Sequence, residues 1–190
     1  EGSVGMFDGQ STIQLDNSPM ICFNLRHLGS EFHKFVGTQA ILAWAWQKFA
    51  QRGGKEVPKS IAIDEAWMFL KYPAATAYIE VLARRGRKHG CGLILATQEY
   101  DDFAKTPEGE AILKQCASQF IMRQSPRAAD VVIENLGLSE GTREYLCGRY
   151  AMMGLGVLRV VDSSTAIRIE PTPLELEFVK TVLNTGGDGE

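Results

Sequence analysis

Two adjacent carboxylates, Asp64 and Glu65, close the apolar run Ile61-Ala62-Ile63. A buried strand ending in such a pair delivers both acids at the carboxyl edge of a sheet, which is where open α/β sheets place their ligands. There the first acid can organise a hydrated Mg2+ bound to phosphate oxygens, and the second can polarise a water for in-line attack on a γ-phosphate. The same string also fits a plain structural role, with Asp64 capping the segment that follows and Glu65 standing in solvent. Gln98 narrows the choice, because it ends the next apolar run, Leu93 to Thr97. Neighbouring parallel strands would bring its amide close to Asp64, where it could hydrogen-bond both the γ-phosphate and the attacking water. The alternative for Gln98 is a polar residue where a strand surfaces.

Between the two lies the densest basic cluster of the chain, Arg84-Arg85-Gly86-Arg87-Lys88-His89. It ends a helix, where the dipole favours cations, so a plain surface accounts for it as well as a function does. The functional reading has one guanidinium, that of Arg85 or Arg87, reaching a nucleotide on a neighbouring subunit while others, Arg84 among them, contact phosphates or a partner. Planar, multi-donor Arg suits that task better than Lys. Arg123 and Gln124, at the end of Phe120-Ile121-Met122-Arg123-Gln124, could add polar contacts to the nucleotide at the same sheet edge, or serve structure alone. Trp67, Met68 and Phe69 read as packing over the strand exit, and Trp44 and Trp46 as helix packing.

A nucleotide site also needs a phosphate cradle, and G-x-x-x-x-G-K-[ST] occurs nowhere in the sequence. Gly53-Gly54-Lys55 is followed by Glu56 and preceded by a helical pattern, which is the wrong context. The chain alone is therefore expected to bind ATP poorly and to hydrolyse it negligibly. Its start at Glu1 rather than Met reads as excision from a longer protein.

The bulk numbers exclude other classes. With 45% hydrophobic residues in 190, the chain can build one core without staples. A net charge of -3 gives no general footprint for nucleic acid or anionic lipid, so any such contact would be local. Cys22, Cys91, Cys116 and Cys147 stand far apart and beside apolar stretches, which predicts buried thiols in a reducing compartment, and the three histidines show no zinc spacing. No apolar run reaches the roughly 18 residues of a membrane span and no signal peptide opens the chain, which gives it a cytoplasmic character.

The elements that must position these residues follow from periodicity. Ser11 to Leu15 alternates like a short edge strand, and Met20 to Leu25 reads as a strand. Apolar residues at three and four predict a helix from Glu31 to Arg52, stopped by Gly53-Gly54. Ile61 to Ile63 and Cys91 to Thr97 are short apolar strands around a helix at Ala74 to Arg87, the mark of a parallel sheet covered on both faces. A helix at Pro107 to Gln115, a strand at Gln119 to Gln124, and short helices at Ala128 to Leu136 and Ser139 to Leu146 come next, the last with Ser139 as N-cap. Strands at Gly156 to Val161 and Ala166 to Ile169 form a hairpin, and a helix at Leu174 to Leu183 precedes a tail, 184–190, expected to be flexible. The reading is a single α/β domain, residues 1–190, with a β-hairpin near its end.

Taken in order, IAIDEAW, ARRGRKHG, GLILATQ and FIMRQSP resemble the carboxyl-terminal ATPase domain of the VirB-four and TraC-like proteins, motor ATPases of conjugation and type IV secretion within the HerA/FtsK branch of P-loop NTPases. The likeness runs from about Gly5 to Ile169. It implies a RecA-like P-loop NTPase core that hydrolyses ATP with Mg2+, assembles as a hexamer at the inner face of the cell membrane, and energises pilus assembly or substrate transfer alongside other secretion components. It further implies that Asp64 is the Walker B residue organising Mg2+, Glu65 the catalytic acid, Gln98 the residue after the sensor strand, and Arg85 and Arg87 part of a basic motif serving the neighbouring subunit. The phosphate-binding loop of that family lies upstream of such a segment. Two other readings stay open: a DNA-translocating HerA/FtsK-type or coupling ATPase, which would rest on the Arg84 to His89 cluster alone, and a catalytically inert α/β adaptor.

Overall fold

The apolar run before the two carboxylates is a strand, β1 (Lys59–Ile63), in a computed structural model that describes residue 15, residues 18–98 and residues 100–184, with the last helix's side chains as far as Phe178. It pairs in parallel with β2 (Cys91–Leu95), Ile61 opposite Leu93 and Ile63 opposite Leu95. Because strand side chains alternate, one face of this pair carries Ile61, Ile63, Leu93 and Leu95 into a core with Leu42, Ala66, Ala75, Ile79, Phe103 and Ile112. The opposite face, Ser60, Ala62, Gly92 and Ile94, is exposed. The expectation of a sheet covered on both faces is therefore corrected among the described residues. Three of these four side chains are small or absent, so covering them would remove little apolar surface from water.

The chain divides into two units, residues 1–116 and 117–190. In the first, helix α1 (Glu31–Trp44) opens on Ser30, whose side chain accepts from the His33 amide, and continues as a π-helical stretch, Ala45–Ala50. Gly53 and Gly54 follow in the left-handed region, so the helical path ends near the expected place. A one-turn helix, α2 (Trp67–Leu70), links β1 to α3 (Pro73–Arg85), which starts on Pro73, an unstrained residue for a first helical turn. A 3-10 turn, Gly86–His89, extends α3 through the basic cluster. After β2 come the short α4 (Asp101–Ala104) and α5 (Pro107–Gln115), the latter capped by the Thr106 hydroxyl.

Gly90 joins the basic turn to β2 at φ +65°, and a Cβ there would lie 2.6 Å from the Lys55 carbonyl oxygen. Gly90→Ala is expected to cost about 1–2 kcal/mol from the left-handed backbone, with the clash adding to it. A lowered urea midpoint at unchanged slope would show this. A midpoint equal to that of the unsubstituted chain would refute it.

Met20 to Leu25 is not a strand: it joins no ladder among the described residues. A strand exists through its partner, and without one Met20 is 84% exposed and Cys22 lies at the surface. The expectation of buried thiols thus fails for Cys22. It holds for Cys91, while Cys116 and Cys147 are half-buried, and all four are free. The predicted Ser11 to Leu15 strand lies outside the described residues apart from Leu15, as does the 184–190 tail apart from Asn184.

The second unit holds a three-stranded antiparallel sheet, β3 (Ser118–Ile121), β4 (Leu155–Val160) and β5 (Ser163–Arg168), in the order β3-β4-β5. The hairpin was expected, but the placing of β3 was not: it joins the hairpin rather than the parallel pair. Pairing with β4 sets Ile121 opposite Val157, both buried. Helix α6 (Pro126–Leu136) is capped by the Ser125 hydroxyl and ended by left-handed Gly137. A 3-10 turn, Glu140–Thr142, leads into α7 (Arg143–Leu146). Ser139 makes no side-chain cap; its hydroxyl pairs with that of Thr142 at 3.2 Å. Helix α8 (Pro173–Asn184) closes the described chain.

Candidate active site

The parallel pairing decides where the carboxylates go. Beyond the strand ends the ladder continues, the Ala96 amide donating to Ile63 and the Ala66 amide to Ala96, each at 2.9 Å. These bonds bracket Asp64 and Glu65 on one side and hold Thr97 and Gln98 beside them on the other. Ala66 is fully buried, so the turn after β1 is clamped to the core while Asp64 remains exposed.

Glu65 takes a left-handed backbone, φ +49°. For a non-glycine residue that costs about 1–2 kcal/mol, and the local bonds offset part of it. The Glu65 amide donates to Asp64 Oδ1 at 2.9 Å, and the Glu65 carbonyl accepts from the Met68 amide at 3.0 Å, starting α2. Both carboxylate oxygens of Glu65 are engaged. The Trp67 indole Nε1 donates to Oε2 at 2.7 Å, and the Gln98 amide nitrogen donates to Oε1. Glu65, Trp67, Met68, Gln98 and Asp102 line an open depression of about 390 Å³ at this end of the strands.

Glu65 and Gln98, expected from sequence on neighbouring strands, therefore meet directly. Asp64 stands at the same strand end, its carboxylate oriented by the Glu65 amide. The basic cluster is less uniform than its sequence suggests. Arg84 forms an ion pair with Glu80, one helical turn back, at 2.7 Å, which fits a surface role; Arg85 and Arg87 are exposed and form no ion pair with a described residue. Arg123 and Gln124 follow β3, so they do not share a sheet with Asp64, and the expected common sheet edge is corrected. The Gln124 amide donates to the Leu146 carbonyl at 2.8 Å, and its side chain donates to the Arg123 carbonyl at 3.2 Å.

Sequence reasoning missed Trp67 as a polar partner and Asp102 as a lining residue. A signal existed for the first: a half-buried Trp needs an acceptor for its N–H, and the carboxylate two residues earlier was the nearest one. Asp102 sits on α4, an acidic turn without the periodicity that reveals longer helices.

Mg2+ is commonly held by one or two carboxylates together with substrate phosphates, and the exposed Asp64 is a hard oxygen ligand suited to that sharing. The sequence holds no G-x-x-x-x-G-K-[ST] pattern for a phosphate cradle. Among the described residues, no helix is long and apolar enough to cross a membrane.

A family model described as an AAA-like domain matches residues 35–145, which include β1, β2 and every residue of the depression. No curated protein matches the chain. Among solved structures, VirB4 of Thermoanaerobacter pseudethanolicus superposes with a TM-score of 0.67 at 24% identity, over 79% of this chain and 40% of that one. At that identity the likeness is one of fold, and the chain spans about two fifths of the length of that relative.

Proposed function

This chain belongs to the AAA-like domain family, and from that premise we propose that it is the Walker B half of a RecA-like motor ATPase of the VirB-four and TraC-like kind, within the HerA/FtsK branch. The observation that carries the proposal is the contact between Glu65 and Gln98 at the carboxyl ends of two paired parallel strands. Asp64 would hold a water of the Mg2+ shell, Glu65 would polarise the attacking water, and the Gln98 amide would orient that water or the γ-phosphate. Mg2+, when bound with ATP, neutralises charge on the phosphate oxygens. Arg85 or Arg87, free of described ion pairs, reaches the nucleotide of a neighbouring subunit in a hexamer. Arg84 is assigned only an auxiliary phosphate contact. The longer protein works at the inner face of the cell membrane with other secretion components, energising conjugative transfer or pilus assembly.

The test is ATP turnover by the protein extended upstream by roughly one domain, about 200 residues, so that a phosphate-binding loop is included. Mg2+-dependent hydrolysis is expected there, with background rates for the 190-residue chain. Background rates in the longer protein, with its secretion partners supplied, would leave an inert adaptor.

A further inference from the structure

Trp67 does more in this site than pack. Its indole nitrogen donates to Glu65 Oε2 at 2.7 Å, while Gln98 holds the other oxygen, Oε1. The two donors differ in how firmly they are fixed. Trp67 is half-buried and packs against the core cluster around Ile63 and Ile79, whereas Gln98 is exposed on the segment after β2. The Lys71 ammonium lies 4.6 Å from the centre of the Trp67 ring. A cation over the π face draws charge from the ring and makes its N–H a stronger donor. The reach from residue 67 back to residue 65 needs a sharp turn, which the left-handed backbone of Glu65 supplies.

Resting on the proposed role of Glu65, we infer that Trp67 is a positioning residue of the site: its indole N–H pins Oε2 and leaves Oε1 as the oxygen that can exchange Gln98 for a water. Glu65 then turns to its water without losing its orientation, because one of its two anchors is packed against the core. Nothing in a packing role requires the ring nitrogen, so Phe separates the two roles.

The decisive variant is Trp67→Phe in the hydrolysing protein, beside Glu65→Gln. Loss of one hydrogen bond to a charged group predicts a fall in kcat of about tenfold or more, with KM for ATP within about twofold. In the 190-residue chain, whose three tryptophans give three indole N–H resonances, Trp67→Phe identifies the signal of Trp67. That signal is expected to shift and to exchange faster with water in Glu65→Ala, while those of Trp44 and Trp46 stay in place. Wild-type kcat in Trp67→Phe, or an indole signal indifferent to Glu65→Ala, overturns the assignment of Trp67. Full turnover in Glu65→Gln overturns the role of Glu65 itself, and the positioning of it falls with that role.

Discussion

Glu65→Gln is expected to lower ATP turnover in the hydrolysing protein by a factor of about 10²–10⁴, the range typical of losing a positioned general base. The substitution keeps the size of the side chain and leaves an oxygen that can accept from the Trp67 indole. It cannot take a proton, and its amide nitrogen would face the Gln98 nitrogen where Glu65 now presents Oε1. Two donors then oppose each other, and Gln98 keeps the contact only by turning its own amide oxygen toward residue 65. Nucleotide affinity should change little, because phosphate binding rests on a cradle outside this site and on Mg2+. A turnover assay paired with a nucleotide-binding assay separates the two: binding retained with turnover lost is the expected pattern. Turnover within about tenfold of wild type would mean that the water is activated elsewhere.

Asp64 and Glu65 were legible in the sequence because an apolar run ending in two acids can be read without knowing what the strand pairs with. Gln98 was legible for a similar reason, since consecutive short apolar strands around a helix imply parallel neighbours, and parallel neighbours share a carboxyl edge. Pairings that depend on the far end of the chain were not. Phe120 to Gln124 reads as a strand, but nothing local tells a strand that will join a parallel pair from one that will join a later hairpin; the burial of Ile121 opposite Val157 decides it. The failure at Met20 to Leu25 has the same origin, because strand character is a property of a pair. Trp67 was hidden differently. Its contact with Glu65 depends on a left-handed backbone at a residue that is not glycine, and no propensity announces such a turn.

The geometry of the site depends on one side chain that touches none of its reacting groups. Phe103 is 2% exposed and packs with Leu42, Ile63, Ala66, Ala75, Ile79 and Ile112. It lies on α4, four residues long and without a side-chain cap, which is too short to hold its shape unaided. That helix carries Asp102 at the edge of the depression and follows directly on the segment bearing Gln98. Phe103→Ala is expected to destabilise the chain by about 3–5 kcal/mol, from lost transfer energy and the cavity left behind. Against a typical total of about 5–15 kcal/mol this removes much of the margin, and a large drop in urea midpoint measures it. Phe103→Leu, closer in volume, should cost less than Phe103→Ala. In the hydrolysing protein, at a temperature where both variants remain folded, turnover should fall further in Phe103→Ala than in Phe103→Leu, because α4 loosens and Gln98 is held less well beside Glu65. Equal turnover in the two, with the stability difference confirmed, would mean that the ladder bonds at Ala66 and Ala96 alone hold Gln98.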